Sequence, residues 1–167
     1  SCCVLGGAAV APRFYPTPHV RHNHALDLLV SSKDFEKIAS ALGALHCVSS
    51  DAQRYVHPTG LPVVLHMSPL HIPYNTGAGL PGREEIMVEN QAIQSLRPTE
   101  LLFVTIANAA FSPRSRNLRW LVDTCFLIEE GCIDWSRLAR YAQSPQLGLF
   151  FALVFTYVNK HFCSAVP

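Results

Sequence analysis

Gly6-Gly7 follows the short apolar run Cys2–Leu5 and precedes Ala8–Tyr15, a segment able to coil into a helix before Pro16 and Pro18 stop it. Strand, glycine pair and helix in that order let a backbone approach a triphosphate closely, because glycine has no Cβ and a helix start presents unpaired N–H groups. The same pair also serves as a packing turn that needs no ligand. Asp27 lies twenty residues further on, inside a second apolar run, and Arg21 and His22 occupy the loop before it, where they either approach phosphate or stay solvated. Seven of the eight histidines fall between His19 and His71, and His22-x-His24 with His66 and His71 suggests zinc. The spacing argues against that: a strand beginning near His24 puts its ring on the face of Leu26 and Leu28, opposite Asp27, as a half-buried histidine or a local hydrogen-bond partner. Arg114, Arg116 and Arg119 form a compact basic group beside Trp120, suited to a phosphate or a nucleobase or simply to a solvated helix start. Without interleaved aromatic residues they fall short of a nucleic-acid surface. Glu84, Glu85 and Glu89 read as an exposed helix face with no metal geometry of their own.

These residues need elements to position them. The apolar pattern predicts strands at Cys2–Leu5 and Leu26–Val30, then a helix capped by Ser31 or Ser32 and running through Phe35, Ile38, Ala39 and Leu42 to Gly43. Strands over Leu45–Ser49, Gln53–Val56 and Leu61–Met67 follow, the last two joined by the turn His57-Pro58-Thr59-Gly60. The Pro- and Gly-bearing stretch Ser68–Gly82 reads as a loop. Five helices are expected beyond it: Arg83–Leu96, Thr99–Phe111, Asn117–Glu130, Asp134–Ala142 and Pro145–Phe162, with Gly131 suited to a C-cap. The expected fold is α+β, a small mixed sheet with flanking helices followed by a C-terminal helical bundle. Residues 1–80 would form the α/β part and 81–167 a helical part packed on it as one compact unit.

Composition narrows the classes. With 49% hydrophobic and 15% charged residues in 167, the chain is neither disordered nor fibrous, and it is long enough to bury a core. A net charge of +1 excludes a global field that would steer it to nucleic acid or an anionic membrane. The longest nearly apolar stretch, Leu147–Val158, is far shorter than the roughly 20 residues of a spanning helix. The chain starts at Ser1 without a Met and without the segments of a secretory signal, which leaves room for an earlier segment that has been trimmed. Cys2, Cys3, Cys47, Cys125, Cys132 and Cys163 include no C-x-x-C pair, and they are expected to be mostly reduced and buried, hence in the cytoplasm.

Val4-Leu5-Gly6-Gly7-Ala8-Ala9, Arg21, Leu26-Asp27-Leu28-Leu29-Val30, Tyr55-x-His57-Pro58-x-Gly60-Leu61 and Val64-Leu65-His66 together resemble the polymerase-beta-like nucleotidyltransferases, specifically an uncharacterised family with a helical C-terminal half. The resemblance extends over Arg119-Trp120-Leu121-Val122-Asp123 and Ile133-Asp134-Trp135. It implies that Gly6, Gly7 and Arg21 bind a nucleoside triphosphate and that clustered carboxylates hold two Mg2+ ions, which activate an acceptor hydroxyl for attack on the α-phosphorus. The family's strand carries an Asp-x-Asp pair and its neighbour a third carboxylate. Here those positions read Ala25, Asp27 and Val64, so only Asp27 remains to hold metal, with His66 a candidate second ligand or a hydrogen-bonded structural residue. The implied function is Mg2+- and NTP-dependent transfer of a nucleotidyl group to an unidentified hydroxyl acceptor, with catalysis impaired or lost. The alternative is a catalytically inactive binding module for a nucleotide, peptide or protein partner, with no membrane and no nucleic acid involved.

Overall fold

A computed structural model describes residues 2–70, 82–111, 118–129, 132–162 and 166. The chain divides into two compact units, Ser1–Pro69 with Arg83–Ser95, and Leu70–Gly82 with Leu96–Pro167. Together they hold an α+β fold with a mixed sheet in the first unit and C-terminal helices in the second.

In the first unit β1 (Cys2–Leu5) runs without a linker into α1 (Gly6–Phe14), and β2 (Leu26–Val30) precedes α2 (Phe35–Ala44). Three short strands follow, β3 (Val48–Ser49), β4 (Arg54–Val56) and β5 (Pro62–His66), then β6 (Arg83–Val88) and β7 (Gln91–Leu96). The seven strands form one sheet in the order β3-β4-β5-β2-β1-β7-β6. β2 pairs parallel with β5 and β1 parallel with β7, whereas β1 with β2, β3 with β4 and β4 with β5 are antiparallel. Strand alternation puts Leu26, Leu28 and Val30 on one face, where with Val63, Leu65 and Tyr55 they pack against Phe35, Ile38 and Leu42 of α2. Val30, Val63 and Leu65 are buried there, each worth about 2 kcal/mol against exposure. Asp27 and Leu29 necessarily project to the opposite face.

Two expectations are corrected. Residues 83–96 are not a helix but the strands β6 and β7, joined by Glu89 and Asn90 with φ of 47° and 65°. Two successive left-handed residues make the turn whose twist suits adjoining strands, and Glu-Asn there lacks the glycine that usually announces it. Arg, Glu, Met, Gln and Ala favour helix locally, but pairing in the sheet overrides that preference. The strand expected over Leu45–Ser49 is only Val48–Ser49, because the preceding residues finish α2. His46 adopts φ 60°, its N–H donates to the Gly43 carbonyl at 2.9 Å, and Cys47 N–H donates to the Leu42 carbonyl at 3.0 Å. That pair of bonds is a Schellman helix end. At the other end of α2 the N-cap is Asp34, whose N–H donates to Ser31 Oγ at 3.2 Å.

The second unit holds α3 (Pro98–Phe111), α4 (Arg119–Glu129), α5 (Trp135–Tyr141) and α6 (Pro145–Phe162). α3 is buried around most of its circumference, with Leu101, Leu102, Phe103 and Ile106 inaccessible, which is why it reads as apolar throughout rather than striped. Phe103 lies 5.2 Å from Tyr141 and 5.8 Å from Phe151 between ring centroids, so α3, α5 and α6 share one aromatic core. Asp134 caps α5 by accepting from Arg137 N–H at 2.9 Å. Within this unit Glu100 is fully buried: its Oε1 accepts from Tyr141 Oη at 3.0 Å and Arg137 Nη1 at 3.4 Å. Its Oε2 has no hydrogen-bond partner among the described residues. A Cβ at Gly82 would overlap the same carboxylate, so only glycine fits beside it. No described helix is long and apolar enough to cross a membrane. The expected loop at 71–81, the Gly131 cap, His71, Arg114, Arg116 and Cys163 lie outside the described residues.

Candidate functional site

The pairing of β2 with β5 sets Asp27 beside Val64 and Leu29 beside His66, while β1 sets Leu5 on the other side of Asp27. Directly paired residues project to the same face. Asp27, Val64 and His66 therefore meet on the face opposite the α2 core, one strand apart. Because α1 begins immediately after Leu5, its first residues arrive at this corner. Gly6 has φ +58°, and a Cβ on it would stand 3.6 Å from Asp27 Oδ2. A Cβ on Gly7 would overlap Asn23 Oδ1 and lie 2.9 Å from Arg21 Cζ. The loop before β2 thus folds back over the start of α1, and Arg21 Nη1 donates to the His22 carbonyl at 2.7 Å.

The electrostatics of the corner follow from these parts. Leu5, as N-cap, offers α1 no side-chain bond, and the first turn carries no acid. The first N–H groups of α1 and the Arg21 guanidinium therefore lie together, an arrangement that favours an anion. Asp27 is the carboxylate within it, and its Oδ1 is hydrogen-bonded to His66 Nε2 at 2.8 Å. Ala25 immediately precedes β2, two residues before Asp27. Cys3, paired with Leu29 in the register, is buried, and burial pushes its thiol up to about 11, so it stays protonated and is no nucleophile at neutral pH.

The polymerase-beta-like chemistry calls for two divalent ions, which the residues present do not fit. A pair of hard cations needs several anionic oxygens, and Asp27 brings one carboxylate whose Oδ1 already binds His66, beside Val64, which brings none. Among the described residues no three His, Cys, Asp or Glu side chains are placed to hold a metal. His22 and His24 form an edge-to-face ring pair at 4.7 Å in the loop, and both are exposed.

The remaining candidates lie elsewhere. Arg119 opens α4 in the second unit, and the half-buried Trp120 beside it lies 6.0 Å from Phe150. Trp135 packs edge-on against Phe155 at 5.6 Å, and Asp123 is buried. Glu84 pairs with Arg13 of α1, Glu85 lies on β6, and Glu89 is in the β6–β7 turn. Sequence alone singled out neither Asn23 nor Arg54. Arg54 pairs with Val64 on β4, and the available signal was alternation, since an inward Tyr55 turns Arg54 outward.

A glycine-led helix following directly on the first strand, a carboxylate on the strand beside it and a mixed sheet are the marks of the nucleotidyltransferase-like class. Two solved structures share the fold. The antigenic nucleotidyltransferase-like protein from Paracoccidioides brasiliensis is 16% identical with a TM-score of 0.61, over 100% of this chain and 86% of that one. The antibiotic-resistance factor ANT(2'')-Ia, whose solution structure is described as revealing substrate-regulated conformation dynamics, is 10% identical with a TM-score of 0.59, over 98% and 88%. No curated protein matches the chain. The family is defined by sequence: the chain belongs to the uncharacterised nucleotidyltransferase family, whose model matches residues 1–163.

Proposed function

We propose that the protein binds a nucleoside triphosphate where α1 begins, with Gly6, Gly7 and Arg21 receiving the phosphates beside Asp27. Its Mg2+-dependent transfer of a nucleotidyl group to a hydroxyl acceptor is impaired or lost. The observation that carries this is the pairing of Asp27 with Val64: the strand that should supply a further carboxylate runs beside Asp27, and its residue there is a valine. Family membership supports the triphosphate as ligand. Substrate oxygens and one carboxylate are a poor cage for two ions, so turnover should be slow or absent.

The second reading is an inactive module that keeps the corner for binding a nucleotide, peptide or protein partner. The Asp27–His66 hydrogen bond favours it, because it ties up the surviving carboxylate.

Calorimetry with ATP, GTP, CTP and UTP, with and without MgCl2, tests the proposal. Binding that needs Mg2+ supports the impaired transferase, binding that ignores it supports the module, and silence with all four refutes a nucleotide site. Restoring acids as Ala25→Asp with Val64→Asp should add Mg2+-dependent binding. If the doubly changed chain gains neither Mg2+ dependence nor transfer, the account of a degenerated metal site is wrong.

A further inference from the structure

We infer that this corner has exchanged divalent metal for a guanidinium, and that Arg54 contacts the phosphates of a nucleoside polyphosphate bound without Mg2+. The inference rests on the second reading above, a module that binds a nucleotide without needing Mg2+, and adds to it the charge that replaces the metal. Register places the residue. Arg54 pairs with Val64, Val64 with Asp27, and Asp27 with Leu5, so these four form one row across β4, β5, β2 and β1. Tyr55, the next residue on β4, packs into the core on the α2 face with Val63 and Leu65. Arg54 therefore belongs to the opposite face, the one that carries Asp27 and the start of α1. Two ladder spacings, roughly 10 Å between backbones, separate Arg54 from Asp27 across the valine.

Arg54 is exposed, and among the described residues no hydrogen bond or ion pair engages its guanidinium. Where adjacent strands of a metal-dependent site carry acids, this row carries one acid, one valine and one cation. The acid is already bonded to His66. A divalent cation seated over Val64 would meet Arg54 as a like charge on one side and a single half-engaged carboxylate on the other. A phosphate at the same place meets a planar fork of N–H donors on one side and, on the other, the single Asp27 carboxylate already bonded to His66, beyond which lie the start of α1 and Arg21. The row thus brings a metal too few carboxylates, and it offers an anion a guanidinium that partly offsets the one carboxylate beside it.

The test is calorimetry on the full chain with ATP, and with inorganic tripolyphosphate as a base-free probe, in EDTA and in excess MgCl2. Wild type is expected to bind both in EDTA at least as tightly as in MgCl2, since Mg2+ competes for the phosphates. Arg54→Gln should weaken binding in EDTA by about tenfold or more, the loss of a charge-assisted bond, and Arg54→Lys by less. Thermal melting of both variants checks that the fold is intact, as expected for an exposed side chain. Binding that requires Mg2+, or an Arg54→Gln chain that binds in EDTA like wild type, overturns the inference and leaves the nucleotide reading standing. Silence of wild type in both buffers overturns the nucleotide reading and this inference with it.

Discussion

Replacing Gly7 by alanine separates a phosphate cradle from a packing turn, because the two readings disagree about binding while agreeing about stability. Gly7 is a helical residue whose φ lies outside the left-handed region, so alanine gains up to about 1 kcal/mol of helix propensity. Against that, the new Cβ collides with Asn23 Oδ1 and presses on the Arg21 guanidinium. Both are ends of side chains in a loop, and moving them off their preferred rotamers costs about 0.5–1.5 kcal/mol each. The balance is a loss of about 0–2 kcal/mol, so the melting temperature should fall by no more than about 8 °C for a chain of this size. Binding should behave differently. The methyl group occupies the approach to the first N–H groups of α1 and displaces the arginine that shares them, and ATP affinity should fall at least tenfold. Gly6→Ala is the control with the opposite balance: its Cβ meets only an ordinary contact at 3.6 Å, but φ +58° costs about 1–2 kcal/mol. Differential scanning calorimetry and isothermal titration on the two variants measure both quantities. A Gly7→Ala chain that binds ATP as wild type does would refute the cradle and leave the glycine as a turn.

In the second unit, Gly82→Ala drives a methyl group into the buried Glu100 carboxylate and should cost about 2–3 kcal/mol in urea denaturation. Adding Glu100→Ala removes the collision, so a double-mutant cycle should show coupling of about 1 kcal/mol or more, and strict additivity would contradict the packing described. Tyr141 is pushed up by burial, then by donating to Glu100 and by that residue's charge, which means the native state holds the phenolic proton more tightly than the unfolded chain. Its contribution is fully present below the ordinary value of 10.0 and is lost as pH rises through the higher native value. Burial of Cys3 acts in the same direction from 9.0 to about 11. Stability should therefore decline as pH climbs above 9, and Tyr141→Phe should flatten the part of that slope above 10. An unchanged slope would rule out the buried phenol as a contributor.

The legible parts of this chain are those where one local rule and the tertiary environment agree. β2 and α6 have the bounds that periodicity predicts, Leu26–Val30 and Pro145–Phe162, because the first alternates apolar residues against α2 and the second is long and opened by proline. The corner was read from the family resemblance and not from a local rule, since the glycine pair alone reads equally as a packing turn; the structure brings Gly6 to within an ordinary contact of Asp27. Residues 83–96 were illegible because helix-forming residue types fill strands whose stability comes from pairing, and no glycine marks the turn. Arg54 was illegible for a deeper reason. Its significance depends on register, and register between β4, β5 and β2 is set by the α2 core, by Tyr55, Val63, Leu65 and Leu28 interlocking on the far face. A one-residue slip of β4 would bury the guanidinium in that core and point the tyrosine at Asp27, at the cost of an unpaired charge among aliphatic side chains. The apolar side of the sheet thus fixes which polar residues line the other side. That is why the register of a short strand carrying no carboxylate decides which charge stands beside Val64 on this face.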